Sequence, residues 1–397
     1  MRQGTPGFIG SRLREGREAR GITASALADV IGVTRAAMSQ YEHGRQSPSP
    51  DAMRRLSDAL NLPMQWFLKP MHEFAGGTVF YRCMSSATKG ARLRAQRRFH
   101  WLKDIVELIQ QSVRLPSVQL PDFDVPSDPR MLTNDHIEEL ATEARRFWGL
   151  KDGPISNMVW LLENRGIIVS CFDLHAPTLD AFSERDPKTK RPYVVLGDHK
   201  QSAARARFNA AHELGHLLLH RSVQQEQINL NALHPLLEKQ AHRFAGAFLL
   251  PASTFGQEVC GHNLDSLRVL KERWHVAIAA MIYRAGNLRL FSEDHVKNLQ
   301  INLARRKWRT CEPLDDILVQ ERPRVLKKCV ELLVTRGVIP ASEIPFRLSL
   351  PANDVEQLAG LDRGYLDRAD TDIALLTDDP RKDGDEVILR FPFGQAQ

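Results

Sequence analysis

Residues 210–220 read AAHELGHLLLH, and this run limits most narrowly how the chain can fold. Histidines four positions apart among aliphatic residues indicate a helix with both imidazoles on one face, because residues one turn apart lie about 5–6 Å apart at Cβ. His212 and His216 can then reach one tetrahedral metal ion at roughly 2.0–2.1 Å. Glu213 lies about 100° around the helix from His212, so it can miss the metal and still take a proton from a water that the metal acidifies.

An H-E-x-x-H sequence is only moderately specific, because it also arises by chance in helices whose polar residues are simply solvated. Here aliphatic residues flank the motif on both sides, which favours partial shelter from bulk water. Gly215 leaves room between the histidines for substrate or for a neighbouring backbone. The motif therefore favours a metal site, with a helix bearing solvated polar residues as the alternative.

A second helical run, LLEKQAHRFAGAFLLP, follows and ends at Pro251. Glu238 on this run can supply a third ligand and leave the fourth position open to water, although a glutamate on a charged helix is more often just solvated. His242 is interpreted as a support for the ligands, because a fourth protein ligand would close the site to catalysis. His220 and His234 are interpreted as surface or structural histidines.

The first seventy residues carry short helical patterns separated by turn signals. Thr23 is a natural N-cap for an apolar-periodic run that Gly32 ends. Thr34 caps a second short helix that is ended by Gly44, and residues 51–60 form another amphipathic helix. Short helices joined by turns of three or four residues predict a helix-turn-helix domain.

A length of 397 residues favours two or three domains. Two runs rich in β-branched and aromatic residues, GIIVSCF and RPYVVLG, predict strands before the histidine helix. The predicted fold class is mainly α with a small β-sheet (α+β). The predicted segments are a helix-turn-helix domain (1–70), a basic helical linker (71–133), a central domain that contains the histidine motif (134–312) and a mostly helical C-terminal extension (313–397).

The composition is that of a soluble globular protein, with 43% hydrophobic and 26% charged residues. No apolar run reaches transmembrane or signal-peptide length, so a cytoplasmic protein is expected. The five cysteines form no C-x-x-C pair and are interpreted as small core residues. A net charge of +6 permits nucleic-acid binding without demonstrating it. Basic residues concentrate in 82–103, as a solvated face or as a helix that adds phosphate contacts or supports dimerisation.

The two helical runs together closely resemble the ImmA/IrrE family of zinc metallopeptidases, over roughly 140–312. That family has an H-E-x-x-H helix followed by E-x-x-A-(Asn/Asp)-x-F-A-x-x-L-L-x-P, which is matched here by Glu238, Ala241, Phe244, Ala245, Leu249, Leu250 and Pro251. The resemblance implies that residues 134–312 form a zincin-like peptidase domain. It also implies Zn²⁺ as cofactor, His212, His216 and Glu238 as ligands, and Glu213 as catalytic base. His242 stands where the family usually has Asn or Asp. Family members commonly cut XRE-type repressors, which implies a substrate of that kind.

The run ALADVIGVTRAAMSQYEHGRQSPS separately resembles the XRE, or phage-repressor-like, helix-turn-helix family. The resemblance places the second helix of the motif in the major groove of an operator and implies a homodimer on two half-sites. The implied DNA contacts are base readers at Arg35, Ala36, Ser39 and Gln40, and a phosphate contact at Arg45. The family's usual glutamine is replaced by Ala24. A protein-docking role for this domain stays open.

These features favour a DNA-binding transcriptional regulator that carries a zinc-dependent endopeptidase and couples proteolysis of a repressor-type protein to transcription. One alternative is a transcription factor whose catalytically silent zinc domain acts as a sensor or dimerisation platform. Another is a toxin–antitoxin or phage-defence component. The C-terminal extension carries no motif with chemistry, and no function is assigned to it.

Overall fold

The computed structural model describes residues 4–70, 79–81, 88–176, 179–198, 202–224, 227 and 233–367. Over these residues the protein is mainly helical with one small sheet, which confirms the predicted α+β class. None of the helices in these ranges is long and apolar enough to span a membrane.

The N-terminal helices begin and end where the capping residues predict. Thr23 Oγ1 accepts a hydrogen bond from the Ala26 N–H, and Thr34 Oγ1 accepts one from the Ala37 N–H, each at 3.1 Å. Gly32 ends the first of these two helices at a φ of +67°, a conformation that favours glycine. The helices are α1 (Gly10–Ala19), α2 (Ala24–Ile31), α3 (Arg35–Glu42) and α4 (Pro50–Leu60), followed by a 3₁₀ helix at Met64–Leu68.

The rest of the described chain alternates helices with four short strands. In chain order the elements are β1 (Val79–Tyr81), α5 (Lys89–Gln110), a 3₁₀ helix at Pro129–Met131, α6 (Asn134–Phe147), α7 (Met158–Asn164), β2 (Ile168–Phe172), β3 (Ala181–Arg185), β4 (Pro192–Gly197), α8 (Ala203–Leu219), α9 (His234–Leu249), α10 (Ala252–Glu258), α11 (Leu264–Trp274), α12 (Ile278–Asn287), α13 (Glu293–Arg305), α14 (Val325–Thr335), α15 (Glu343–Leu348) and α16 (Ala352–Ala359).

The strands form one mixed sheet in the order β1-β3-β4-β2. β1 and β4 both run antiparallel to β3, and β2 runs parallel to β4. Two of these strands, β2 and β4, coincide with the predicted strand-like runs. β1 and β3 were not predicted, because three- and five-residue strands carry little periodicity of their own.

The two faces of the sheet meet different parts of the chain, as β3 illustrates. The Phe182 ring packs edge-on against Phe99 of α5 at 5.5 Å between centroids, and Glu184 accepts from Lys103 of the same helix. Ser183 points the other way and donates to Glu213 of α8. Because successive side chains of a strand alternate between faces, β3 lies between the linker helix and the histidine helix.

Two basic residues of α5 are buried, so the interpretation of 82–103 as a solvated or phosphate-binding face is wrong for them. Arg98 is 3% exposed and Lys103 is 5% exposed. Lys103 Nζ lies 2.5 Å from Glu184 Oε1 and 3.2 Å from Asp186 Oδ2. The carboxylates offset the cost of burying the ammonium, which residue type alone could not predict.

The N-terminal helices pack directly against the linker helix and the C-terminal region. Arg97 Nε of α5 donates to Glu18 Oε2 of α1 at 2.8 Å, and Arg20, directly after α1, pairs with Asp354 of α16 at 2.6 Å. One apolar cluster includes residues of the predicted segments 1–70, 71–133, 134–312 and 313–397. The boundaries between these segments stay predictions.

The cysteines occupy different environments. Cys329 is buried, as predicted, and Cys171 is half-buried. Cys260 and Cys311 are exposed, so their interpretation as core residues is wrong; both lie in connections between helices. Cys83 lies outside the described residues.

Candidate metal centre and nucleic-acid interface

Helix α8 is buried along almost its whole length and packs closely against α9. A Cβ atom on Gly215 would lie 3.2 Å from both the Cα and the carbonyl oxygen of Ala241, which is tighter than ordinary van der Waals contact. Glycine is therefore needed here so that the two helix backbones can approach each other. The space beside Gly215 is predicted to hold either substrate or a neighbouring backbone, and in the structure the backbone of α9 occupies it.

This close packing brings together His212, His216 and Glu238. Their candidate ligand atoms all lie within 4.8 Å of one another. The two Nε2 atoms are 3.0 Å apart, and they lie 3.4 Å (His212) and 3.2 Å (His216) from the nearer carboxylate oxygen of Glu238. Ligand atoms around a tetrahedral zinc ion at 2.0–2.1 Å lie about 3.3–3.4 Å apart, so this donor set fits zinc.

The surroundings of Glu238 favour its ionised form. Burial raises the pKa of this carboxyl, but the hydrogen bonds and charges of His212 and His216 outweigh burial and hold the pKa well below its ordinary value. His234, one turn earlier on α9, places its Nε2 3.7 Å from Glu238 Oε1. A carboxylate held ionised among imidazoles is the form that binds a metal ion.

Glu213 faces the sheet. Its side chain is fully buried, and its Oε2 accepts a hydrogen bond from Ser183 Oγ at 2.7 Å. Ser183 was missed from the sequence because β3 was not predicted, so nothing placed this hydroxyl opposite α8. The contact fixes the direction of the Glu213 carboxylate next to the ligand cluster.

A hydrogen-bonded chain runs outward from His216. The His216 and His220 Nδ1 atoms are 3.0 Å apart, His220 Nε2 lies 3.1 Å from Gln240 Oε1, and Gln240 Nε2 donates to the Pro129 carbonyl at 2.7 Å. His220 is 1% exposed, and burial holds its pKa well below the ordinary value, so it is neutral.

The end of this chain determines which ring nitrogen carries the hydrogen when each imidazole is neutral. The carbonyl of Pro129 can only accept a hydrogen bond, so the NH₂ group of Gln240 must face it. The Gln240 side-chain oxygen then faces His220 and accepts a hydrogen bond from the His220 Nε2–H. The Nδ1 of neutral His220 then accepts from the Nδ1–H of His216. A neutral His216, which is the form that binds a metal ion, would then carry its lone pair on Nε2, the atom in the candidate ligand cluster. Gln240 was missed, and for His220 the available signal was its position one turn after His216.

His242 lies outside the group of candidate ligand atoms. Its half-buried ring packs against Phe208, with 4.8 Å between centroids, and edge-on against Tyr283 at 5.8 Å. A supporting role for His242 beside the ligands stays a prediction.

Helix α3 presents the predicted DNA contacts to solvent. Its apolar side is fixed by Met38, which is fully buried, while the side chains predicted to read DNA are exposed: Arg35, Ala36, Ser39, Gln40 and, just beyond the helix, Arg45. Glu42 at the end of the helix pairs with Arg17 of α1, which holds α3 against the N-terminal core. An exposed helix face carried on a fixed core is the arrangement that enters a major groove.

Comparisons with known proteins match two parts of the chain to known families. Residues 162–285 match the family of the IrrE N-terminal-like domain, which is a peptidase family, and residues 13–67 match the helix-turn-helix family. The chain thus carries an XRE-type, DNA-binding helix-turn-helix domain of the kind found in transcriptional regulators, followed by a domain with a metallopeptidase-like fold.

Two curated proteins resemble the N-terminal part. The HTH-type transcriptional regulator SutR of Escherichia coli (strain K12) is 32% identical over 63 residues, which is 16% of this chain and 35% of SutR. The SPbeta prophage-derived uncharacterized HTH-type transcriptional regulator YonR of Bacillus subtilis (strain 168) is 32% identical over 65 residues, 16% of this chain and 60% of YonR. The chain therefore spans about a third and three-fifths of these relatives.

Proposed function

We propose that the protein is a DNA-binding transcriptional regulator whose IrrE-type domain is a zinc-dependent endopeptidase. The observation that carries the proposal is the cluster of His212, His216 and Glu238, whose donor atoms have the spacing of a tetrahedral zinc site. Three protein ligands leave one position for water or substrate, which is the arrangement of catalytic rather than structural zinc.

In this proposal each residue has a defined task. Zinc, when bound, supplies Lewis acidity, which polarises a peptide carbonyl and makes water more acidic. Glu213 is the general base: it accepts a proton on its carboxylate and returns it to the leaving amine. Ser183 holds that carboxylate in direction through its hydroxyl. His220 and Gln240 keep the His216 Nε2 lone pair available.

The DNA-binding part of the proposal concerns the exposed residues of α3. Arg35 and Gln40 have the donor geometry to read guanine and adenine, Ala36 and Ser39 lie against base edges, and Arg45 contacts a phosphate. The partner is a double-stranded operator, bound by a homodimer on two half-sites. Replacing Arg35 or Gln40 by alanine should weaken specific binding by about 1–3 kcal/mol each.

The proposed substrate is an XRE-type repressor protein, so that its cleavage is coupled to transcription. The direct test uses Glu213→Gln, which keeps an oxygen to accept from Ser183 but removes the base. Zinc content, operator binding and cleavage of purified XRE-type repressors are measured for wild type and variant, with new N-termini mapped by mass spectrometry. We expect cleavage to be lost while zinc and DNA binding persist; equal cleavage by both proteins would refute the assignment of Glu213.

One observation favours a second candidate function. Glu213 is fully buried and both histidines are 1% exposed, so only Glu238, with its side chain 22% exposed, brings the cluster to solvent in this structure. A zinc site buried to this extent suits a sensor or dimerisation platform that binds the metal without cutting. Zinc binding with no cleavage by the wild-type protein, in the assay above, would support this alternative.

A further inference from the structure

The burial of Glu213 against the sheet raises the question of what occupies the sheet edge beside it. We propose that β1, a strand of the chain's own linker, occupies the sheet edge to which an extended peptide substrate must add, and so blocks the peptidase site in cis. This inference rests on the proposed function, because it assigns the regulation and the substrate conformation of the same site.

β1 is the outermost strand and pairs with β3 through three opposed residues: Val79 with Glu184, Phe80 with Ser183, and Tyr81 with Phe182. If β1 left, β3 would become the edge strand. An edge strand offers unpaired N–H and C=O groups, and extended peptides bind proteins by adding to such an edge.

The edge that β1 occupies lies close to the proposed general base. Ser183, in the middle of β3, donates to Glu213 at 2.7 Å. Directly opposed residues of an antiparallel pair lie on the same face of the sheet. A peptide residue that pairs with Ser183 therefore lies on the face that carries α8 and the general base. The edge held by β1 is thus the edge at which a bound peptide would run past Glu213.

The strength with which β1 is held depends on its length and on Val79. A three-residue strand adds few hydrogen bonds, and isolated short pairings are marginal in water. Val79 anchors it, being 4% exposed and part of the apolar cluster shared with α5. A competing peptide must therefore be extended and carry an apolar residue opposite Glu184. An extended polypeptide segment of this kind is the substrate class that the edge fits.

The position of β1 in the chain connects this edge to the DNA-binding domain. The strand lies between the 3₁₀ helix at Met64–Leu68 and the start of α5 at Lys89. Movement of the helix-turn-helix domain relative to α5 would change the distance that the chain containing β1 has to span. Operator binding or dimerisation is therefore placed to change access to the peptidase site.

The test measures binding of a peptide in trans to the full-length protein. The probe is a fluorescent synthetic peptide with the sequence of residues 75–85. Phe80→Pro removes a backbone donor from β1, and Val79→Asp places a charge in its apolar anchor; Val79→Ile is the matched control. A tethered strand acts at an effective concentration on the order of millimolar, so opened variants should bind the probe at least about 10-fold more tightly than wild type and Val79→Ile.

Hydrogen exchange then locates the bound probe. The proposal requires that β3 amides exchange faster in the opened variants and are protected again when the probe binds. Equal probe affinity in opened and closed proteins, or binding that leaves β3 unprotected, would overturn it. If both variants fail to fold, wild type with a large excess of probe decides: exchange should increase in Val79–Tyr81 while β3 stays protected, and unchanged exchange in β1 refutes the proposal.

The same experiment separates this inference from the proposed function. Opened variants that bind the probe at β3 but cleave neither probe nor repressor when loaded with zinc would leave the edge assignment standing and refute the peptidase. Faster cleavage by the opened variants than by Val79→Ile would support both. Cleavage at the wild-type rate in the opened variants would refute the block by β1 while the peptidase stands.

Discussion

The chain from His216 to the Pro129 carbonyl predicts that a glutamine two residues from a proposed ligand controls zinc affinity. Gln240→Leu removes the acceptor of His220 Nε2 and the donor to Pro129, at 3.1 Å and 2.7 Å. His220 can then turn or change tautomer, and His216 no longer has a fixed lone pair on Nε2. Loss of such a supporting hydrogen bond costs about 10- to 100-fold in metal affinity, or about 1.4–2.8 kcal/mol.

Zinc affinity is measured at pH 7 by competition with a chromophoric chelator, so the result does not depend on catalysis. Lys239→Leu is the matched control, because it introduces the same leucine at the exposed neighbouring position on α9. Thermal unfolding of the zinc-free proteins shows whether Gln240→Leu merely loosens the helix pair. His220→Phe should give a loss of similar size, since it keeps a ring without nitrogen. Wild-type affinity in Gln240→Leu would refute the assigned chain of donors and acceptors.

Three further predictions concern stability, measured by chemical denaturation. Gly215→Ala forces a Cβ to 3.2 Å from the α9 backbone and should lower the free energy of unfolding by about 1–3 kcal/mol. Gly246→Ala is the control: its nearest atom would be at 3.6 Å, so it should be neutral or stabilising by up to about 1 kcal/mol. Equal effects of the two substitutions would contradict the close approach of the helices. Burial raises the pKa of Glu163 from 4.5 to about 7 despite its backbone hydrogen bonds, so its ionisation costs folded stability as the pH rises through about 7. Glu163→Gln should remove up to about 3 kcal/mol of that decline between pH 5 and 8, and parallel pH profiles of both proteins would contradict this. Lys103→Met leaves Glu184 buried without its ammonium partner and should lower the free energy of unfolding by about 3–5 kcal/mol. The double variant Lys103→Met, Glu184→Leu should regain most of this loss. A Lys103→Met protein as stable as wild type would count against the buried pair.

The parts of the fold that could be predicted are those determined by neighbours in sequence. Thr23 and Thr34 cap helices because a side-chain oxygen reaches a backbone amide three residues on, and that contact is local. His212 and His216 share a helix face for the same reason. β1 and β3 could not be predicted, because strands of three and five residues depend on partners far away in the chain.

The candidate site divides in the same way. The sequence alone determined that two imidazoles and a carboxylate lie on one helix, and where the caps of the exposed helix α3 fall, because both follow from helical periodicity within a few residues. Tertiary structure decided that Glu238 lies against both imidazoles, that Ser183 donates to Glu213 and that Gln240 accepts from His220. Each of these contacts joins different elements, and the packing that makes them depends on the whole core.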